Sequence, residues 1–286
     1  MPTFQTPHPI LATVDLVAGD VTVVASERAD TTVQVTPSDA AKPADVHAAE
    51  RAVVDLRENE VLVKATQRWR QLGPGDGGSI DVRIELPEGS RVHGSASLAV
   101  FRCGGRLGDC AVTVSMGHLL FEETGALRLK SGSGDITAQH AGGDAEAETA
   151  SGTVRIEAVE GTTRVRNSNG DIRLGELARL AEAGAANGDI HVGCAQEGIR
   201  AKTANGSIRV DEIVRGEASL QTSFGSLEFG IRNGTAALLD LHTQLGTISN
   251  ELTESGNPES GDPTAEIFAR TSFGDITVQR VQHVLS

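Results

Sequence analysis

Arg155, Arg173, His191 and Arg209 follow one another at intervals of 18 residues. If residues 18 apart become neighbours in the fold, these four make an outward-facing basic row, bounded by Thr137 and Glu228. Like charges about 5 Å apart repel one another, so the row is a candidate contact surface for an acidic protein or a polyanion. A second recurring set, Asp135, Asp171, Asp189 and Asp275, invites a calcium reading. Calcium-binding β-rolls draw ligands from every turn of a nine-residue phrase, whereas Thr153, Ser207, Ser226 and Thr247 interrupt this set, and Asp beside Gly is ordinary turn chemistry. Cys103 and Cys110 in "CGGRLGDC" lack a usual zinc spacing and have only His118 nearby; with Cys194 they read as buried or idle thiols. No metal and no cofactor is expected. Trp69 in "RWR" has the composition of an interaction hot spot, and a ring folded over a core is the plainer account of it.

Catalysis finds little support. The histidines, among them His93, His118, His140 and His242, share no repeat position, and no Ser-His-Asp pattern, phosphate loop or dinucleotide fingerprint stands out. Solenoid enzymes that cut polysaccharides cluster carboxylates and aromatic residues in a groove; the row of Arg155 lacks both before Glu228. No catalytic residue is assigned.

The elements that position these residues follow from a repeat. With the glycine of the Asn-Gly-Asp phrase as zero, equivalents fall at Gly134, Gly152, Gly170, Gly188, Gly206, Gly225, Gly246 and Gly274, at intervals of 18, 18, 18, 18, 19, 21 and 28. Apolar residues at +2 and +4, as in Ile172 and Leu174 or Ile190 and Val192, alternate with polar ones, which is strand periodicity with one face inward. A second short strand fits in each repeat. Because equivalent residues recur once per coil, neighbouring coils pair in parallel, about 4.8 Å apart. The fold class is an all-β, single-stranded parallel β-helix (β-solenoid) of about 18 residues per coil, and crossover chirality favours right-handed winding.

Residues 1–80 read as an N-terminal β-rich cap: "GDVTVVA" and "TTVQVTP" alternate like strands, a short helix opens after Pro43, and "VDLRENEVLVKA" reads as a hairpin turning near Glu58 and Asn59. Residues 81–286 form the solenoid, and the two make one continuous structural unit. Asn169, Asn187 and Asn205 at −1 suit a hydrogen-bonded ladder at a tight corner. The drift at that position to Phe224, Leu245 and Phe273 suggests a corner turning inward toward the C-terminal end. At +12, Glu146, Arg164, Glu182 and Arg200 alternate in sign and neutralise themselves.

"SGSGDITA", "ASGTVRIE", "SNGDIRL", "ANGDIHV", "ANGSIRV" and "SFGDITV", with a leading "VAGDVTV", resemble the bacterial putative-adhesin family of β-strand-repeat proteins over nearly the whole chain. The resemblance implies a β-solenoid and an adhesin-like role at the bacterial envelope.

Composition narrows the function. A net charge of −14 works against sequence-independent binding to nucleic acid, which depends on Lys and Arg. Seven Phe, one Trp and no Tyr leave few ring-lined pockets for sugars or bases. The start carries no basic segment followed by an apolar run, and no stretch of about 20 apolar residues appears, so the chain reads as cytoplasmic, with envelope association through a partner. The leading reading is a non-enzymatic scaffold or binding module that presents Arg155, Arg173, His191 and Arg209, with Trp69 in reserve, to a protein or polymer partner. The second is end-to-end self-assembly into homo-oligomers, because the coil around Gly274 is followed by little that could cover an open edge. The third is a glycan-active enzyme.

Overall fold

The computed structural model describes residues 2–65, 78–252 and 262–281. The chain divides into two compact units, Met1–Gly142 and Gly143–Ser286.

The first unit contains β1 (Thr3–Gln5), β2 (Leu11–Ser26), β3 (Asp30–Pro37), α1 (Pro43–Arg51), β4 (Val53–Arg57), β5 (Glu60–Ala65), β6 (Ile80–Pro87), β7 (Arg91–Arg106), β8 (Cys110–Met116), β9 (Leu119–Thr124), β10 (Leu127–Ser133) and β11 (Ile136–Ala141). β2 and β7 are each a whole coil in one strand, paired in parallel on both sides of a corner at Gly19 and Ala99. β7 pairs in parallel with β8 and β9, and these with β10 and β11. On its other side β2 pairs in parallel with β5 and β6, so these two strands lie outside the coil formed by β2. Three antiparallel pairings then end the stack: β4 on β5 through a turn with Glu58 at φ 51°, β3 on β6, and β1 on β3. α1, started by Pro43, packs beside them; the buried Asp45 carboxylate accepts the Asp39 and Ser79 N–H groups at 3.1 and 2.9 Å. An open parallel stack needs such cover for its last edge.

The second unit contains β12 (Ala145–Ser151), β13 (Val154–Val159), β14 (Thr163–Asn169), β15 (Ile172–Leu177), β16 (Ala181–Asn187), β17 (Ile190–Ala195), β18 (Ile199–Lys202), β19 (Ile208–Ile213), β20 (Gly216–Phe224), β21 (Leu227–Arg232), β22 (Ala236–Leu245), β23 (Ile248–Asn250), β24 (Thr264–Phe273) and β25 (Ile276–Val281). Two strands make each coil, and the ladders between coils are parallel with equivalent repeat positions in register, as where Ile172 meets Ile190 and Ile190 meets Ile208, apart from a one-residue shift between Val210 and Ile213 where β19 meets β21. These inward positions are fully buried. Each such side chain contributes roughly 1.5–3 kcal/mol, which sets the even-numbered apolar positions of the repeat against the entropy of ordering the strand.

Corner chemistry recurs with the same period. The eight repeat glycines have φ between 129° and 157°. A Cβ on Gly188 would also fall 2.1 Å from the Gly170 carbonyl oxygen, so neither backbone nor space admits another residue there. The Asn187 amide donates to Asn169 Oδ1 at 3.0 Å and the Asn205 amide to Asn187 Oδ1 at 2.8 Å, forming a ladder along the corner. At −3, buried hydroxyls reach back one coil: Thr203 donates to the Gly188 carbonyl at 3.1 Å and Thr222 to that of Gly206 at 2.8 Å.

The same bonds disclose the order of the last coils. Thr271 donates to the Gly225 carbonyl and Thr243 to that of Gly274, so the corner runs Gly225, Gly274, Gly246. β24 and β25 are inserted between β20 with β21 on one side and β22 with β23 on the other. The expectation that the Gly274 coil forms the open end is thereby corrected: that coil is paired on both sides, and among the described residues the coil of β22 and β23 is the one paired on one side alone. Extra chain before β24 permits the return, and the alternating burial of "TAEIFARTSF" suits a coil covered on both sides better than does "AALLDLHTQL". A second correction concerns the −1 corner. Phe224, Leu245 and Phe273 point outward, at 54%, 64% and 44% exposure, because they continue the outward Asn row, with Asn205 bridged directly to Phe224. The Phe224 and Phe273 rings stack with centroids 4.9 Å apart.

Candidate functional site

Arg155, Arg173, His191 and Arg209 lie side by side on β13, β15, β17 and β19, followed by Glu228 on β21. All four are exposed. They line a trough of about 670 Å³ that crosses the strands, together with Asp171, Asp189, Ser207 and Ser226 at +1 and Glu157 at +5. Gly175 and Gly193 line it without side chains. A Cβ at Gly175 would fall 2.1 Å from the Glu157 carbonyl oxygen, so the backbone keeps that position bare; at Gly193 the nearest atom, the Gly175 carbonyl oxygen, would be 3.1 Å away. Trp69 lies outside the described residues.

The electrostatics differ from an uncompensated basic row. Arg155 bonds Glu157, and Arg173 lies 3.4 Å from Asp171. Asp211 receives both Arg209 and His191 at 2.7 Å, and Arg209 also reaches Glu228 at 3.3 Å. Every member of the row thus has a carboxylate beside it, because acids stand at +1 and +5 on the same face, two residues along the strand for the arginines and on the next coil for His191, where strand alternation aims them outward with +3. Partial burial works to raise the Asp211 pKa, but hydrogen bonds from Arg209 and His191 outweigh it and hold the group below its ordinary 3.8. Such exposed pairs are individually weak. Each guanidinium has five N–H donors, more than these pairs use.

The +1 acids have a structural duty as well. Asp171 accepts the Asp189 N–H at 3.1 Å, and Asp189 accepts the Ser207 N–H at 2.8 Å. Each carboxylate therefore ties its coil to the next. Ser207 does the same for Ser226 at 3.2 Å, which explains why Ser or Thr replaces Asp in the series without breaking it.

On the opposite strands Glu182 lies 2.9 Å from Arg164 and 4.0 Å from Arg200, which also reaches Glu217 at 3.4 Å. None of the thiols lines the trough, and Cys194 lies beside the ion pair of Arg232 and Glu212. Burial pushes Cys103 well above its ordinary value, Cys110 up to about 12 and Cys194 to about 11, the opposite of what a reactive or metal-binding thiolate requires. His118 uses Nδ1 to accept the Asp135 N–H at 3.1 Å, the +1 role that Asp takes elsewhere. Among the described residues, no group of three or more His, Cys, Asp or Glu is placed to hold a metal ion, and no helix is long and apolar enough to cross a membrane.

Sequence reasoning missed Gly175, Gly193, Glu157 and Asp211. Their signal was present at +5, where two consecutive coils carry glycine between acidic neighbours.

Parallel two-strand coils with glycine corners and an exposed polar trough define the class, a β-solenoid. The chain belongs to the Toastrack DUF4097 family, whose model matches residues 13–279. Among solved structures, a putative cell adhesion protein from Clostridium sporogenes aligns at 7% identity and a TM-score of 0.21, covering 98% of each chain. A putative adhesin from Bacteroides fragilis aligns at 11% identity and a TM-score of 0.30, covering 98% of this chain and 95% of that one. No curated protein matches the sequence.

Proposed function

We propose that the protein is a non-enzymatic, adhesin-like binding module whose trough receives an extended segment of a protein partner. The observation that carries this reading is the stretch without side chains at Gly175 and Gly193 between side-chain rows held at fixed pitch. Arg155, Arg173, His191 and Arg209 offer donors along the middle, and Asp171 and Asp189 offer acceptors along one margin. A segment carrying charges of both signs matches that pattern. A polyanion matches it poorly, because the flanking carboxylates repel it. The carboxylates engage guanidinium groups and backbone N–H groups across coils, a use that favours binding.

Replacing Arg155, Arg173 and Arg209 together with Ser should leave the fold intact and weaken capture of partner protein from native lysate about tenfold, the equivalent of about 1.4 kcal/mol. The double variant D171N/D189N should also weaken capture. Unchanged capture by both variants defeats the proposal, and stronger capture by the second points to a polyanion instead.

A further inference from the structure

The two ends described for the coil stacks are treated differently. The coil of β5 and β6 is covered by antiparallel β4 and β3, with α1 beside them. The coil of β22 and β23 pairs with β24 and β25 on one side, and among the described residues no strand pairs with its other side. Its inward residues show what this costs. Leu239 and Leu241 are half-buried and Ile248 is 42% exposed, whereas Ile267, Ala269 and Ile276, their partners in register, are buried. Leu238 on the outer face is 67% exposed. Proteins protect a lone edge with Lys, Pro or a bulge. Residues 236–245 contain neither Lys nor Pro, and β22 meets β24 in unbroken register from Ala236 to Thr243.

The edge is complementary to itself. If a second copy pairs antiparallel with β22 about a two-fold axis at Leu241, every residue meets one whose number sums with its own to a constant, so outward residues meet outward ones. Asp240 then faces the partner's His242, and His242 the partner's Asp240. Leu241 meets its own counterpart, and Leu239 meets the partner's Thr243. Asp240 is already held in place by Arg270 at 3.2 Å. The two contacts between acid and imidazole are generated twice by one axis, which is the mark of an isologous interface.

We propose that β22 is a self-association edge, which a second copy of this chain pairs with antiparallel, centred on Leu241. The two molecules thereby close each other's open core. This reading is independent of the trough, which lies on β13 through β21.

Sedimentation of the full chain over a range of concentrations should give a dimer. Opposite residues of an antiparallel pair lie about 4.5–5.5 Å apart at Cα, within the separation of about 4.4–6.8 Å that a disulfide spans. Leu241→Cys should therefore form a cross-linked dimer on mild oxidation, which wild type, with its thiols buried or half-buried, does not. Asp240→His and His242→Asp should each raise the dissociation constant about tenfold by opposing like groups. The double exchange D240H/H242D should restore wild-type affinity, a rescue that a merely local defect in folding does not give. A monomer at every concentration overturns the proposal, as does a dimer that neither cross-links in the Leu241→Cys variant nor responds to the exchanges.

Discussion

At the scale of the residue, the Asn-Gly-Asp phrase is a set of instructions for turning a corner. Gly188 supplies a backbone conformation at φ 147° and a surface against which the next carbonyl rests, so Gly188→Ala has to move that neighbour as well as strain itself. The expected loss is about 3 kcal/mol or more, seen as a lower urea midpoint at unchanged slope. Ala185 makes the opposite case. It occupies the −3 place where Thr203 and Thr222 bond the preceding corner carbonyl. The Gly170 carbonyl already accepts the Asn167 amide at 2.7 Å, so Ala185→Thr should add only a second donor and raise stability by less than about 1 kcal/mol. Asp144 gives a pH signature. Its carboxylate accepts both the hydroxyl and the N–H of Thr162 at 2.8 Å, and these bonds hold its pKa below the ordinary 3.8. A depressed folded pKa contributes stability that is present above 3.8 and lost as pH falls through the lower folded value. Asp144→Asn should therefore be less stable than wild type at neutral pH, and urea melts on the acid side should show that difference shrinking. The glycines were legible because every corner requires one at the same position, and the Asn row because its three members recur at 18 residues in consecutive coils. The −3 hydroxyls were not, since their acceptors lie 15 or 16 residues back and Ser131, Asn167 and Ala185 vary the residue type.

At the scale of the element, three outward rows of one strand face behave as a unit. Reading the +3 row by itself gave a basic stripe; the face as a whole carries Arg155, Arg173 and Arg209 among Glu157, Asp171, Asp189, Asp211 and Glu228. The site was half legible for this reason: spacing alone brought the three arginines and His191 together, but their carboxylate partners depend on side chains reaching two residues along a strand or across to the next coil. Asp211 is the test of how little these pairs do for the fold. It bridges His191 and Arg209, and the three side chains keep only about half of their surface open to water, at 46%, 41% and 54% for His191, Asp211 and Arg209. Asp211→Asn should change stability by less than about 1 kcal/mol, measured by urea unfolding. A larger loss would mean that the rows are part of the scaffold and not a free surface.

At the scale of the whole molecule, the repeat specified the coil but left the order of coils open. Parallel pairing, glycine corners and inward Ile, Val and Leu were all readable from the 18-residue period, since every coil must satisfy the same geometry. Which coil lies beside which is decided by chain length between coils and by the burial each can tolerate, and neither recurs with the period. In the first unit β2 lies between β7 and the coil of β5 and β6; in the second, β24 and β25 enter between coils that precede them in sequence. The inserted coil supplies both the ladder and the corner carbonyl that hold β22, the Gly274 carbonyl accepting from Thr243 at 2.9 Å. A chain ended after Leu252 loses that coil, and with it the only strands that β22 and β23 pair with among the described residues outside their own coil. Its amides from Leu239 to Thr243 should then exchange with deuterium as fast as unfolded chain, although their sequence is intact. Stacking in chain order would instead leave β22 docked on β20 and its amides protected, so hydrogen exchange on this truncated form distinguishes the two arrangements directly.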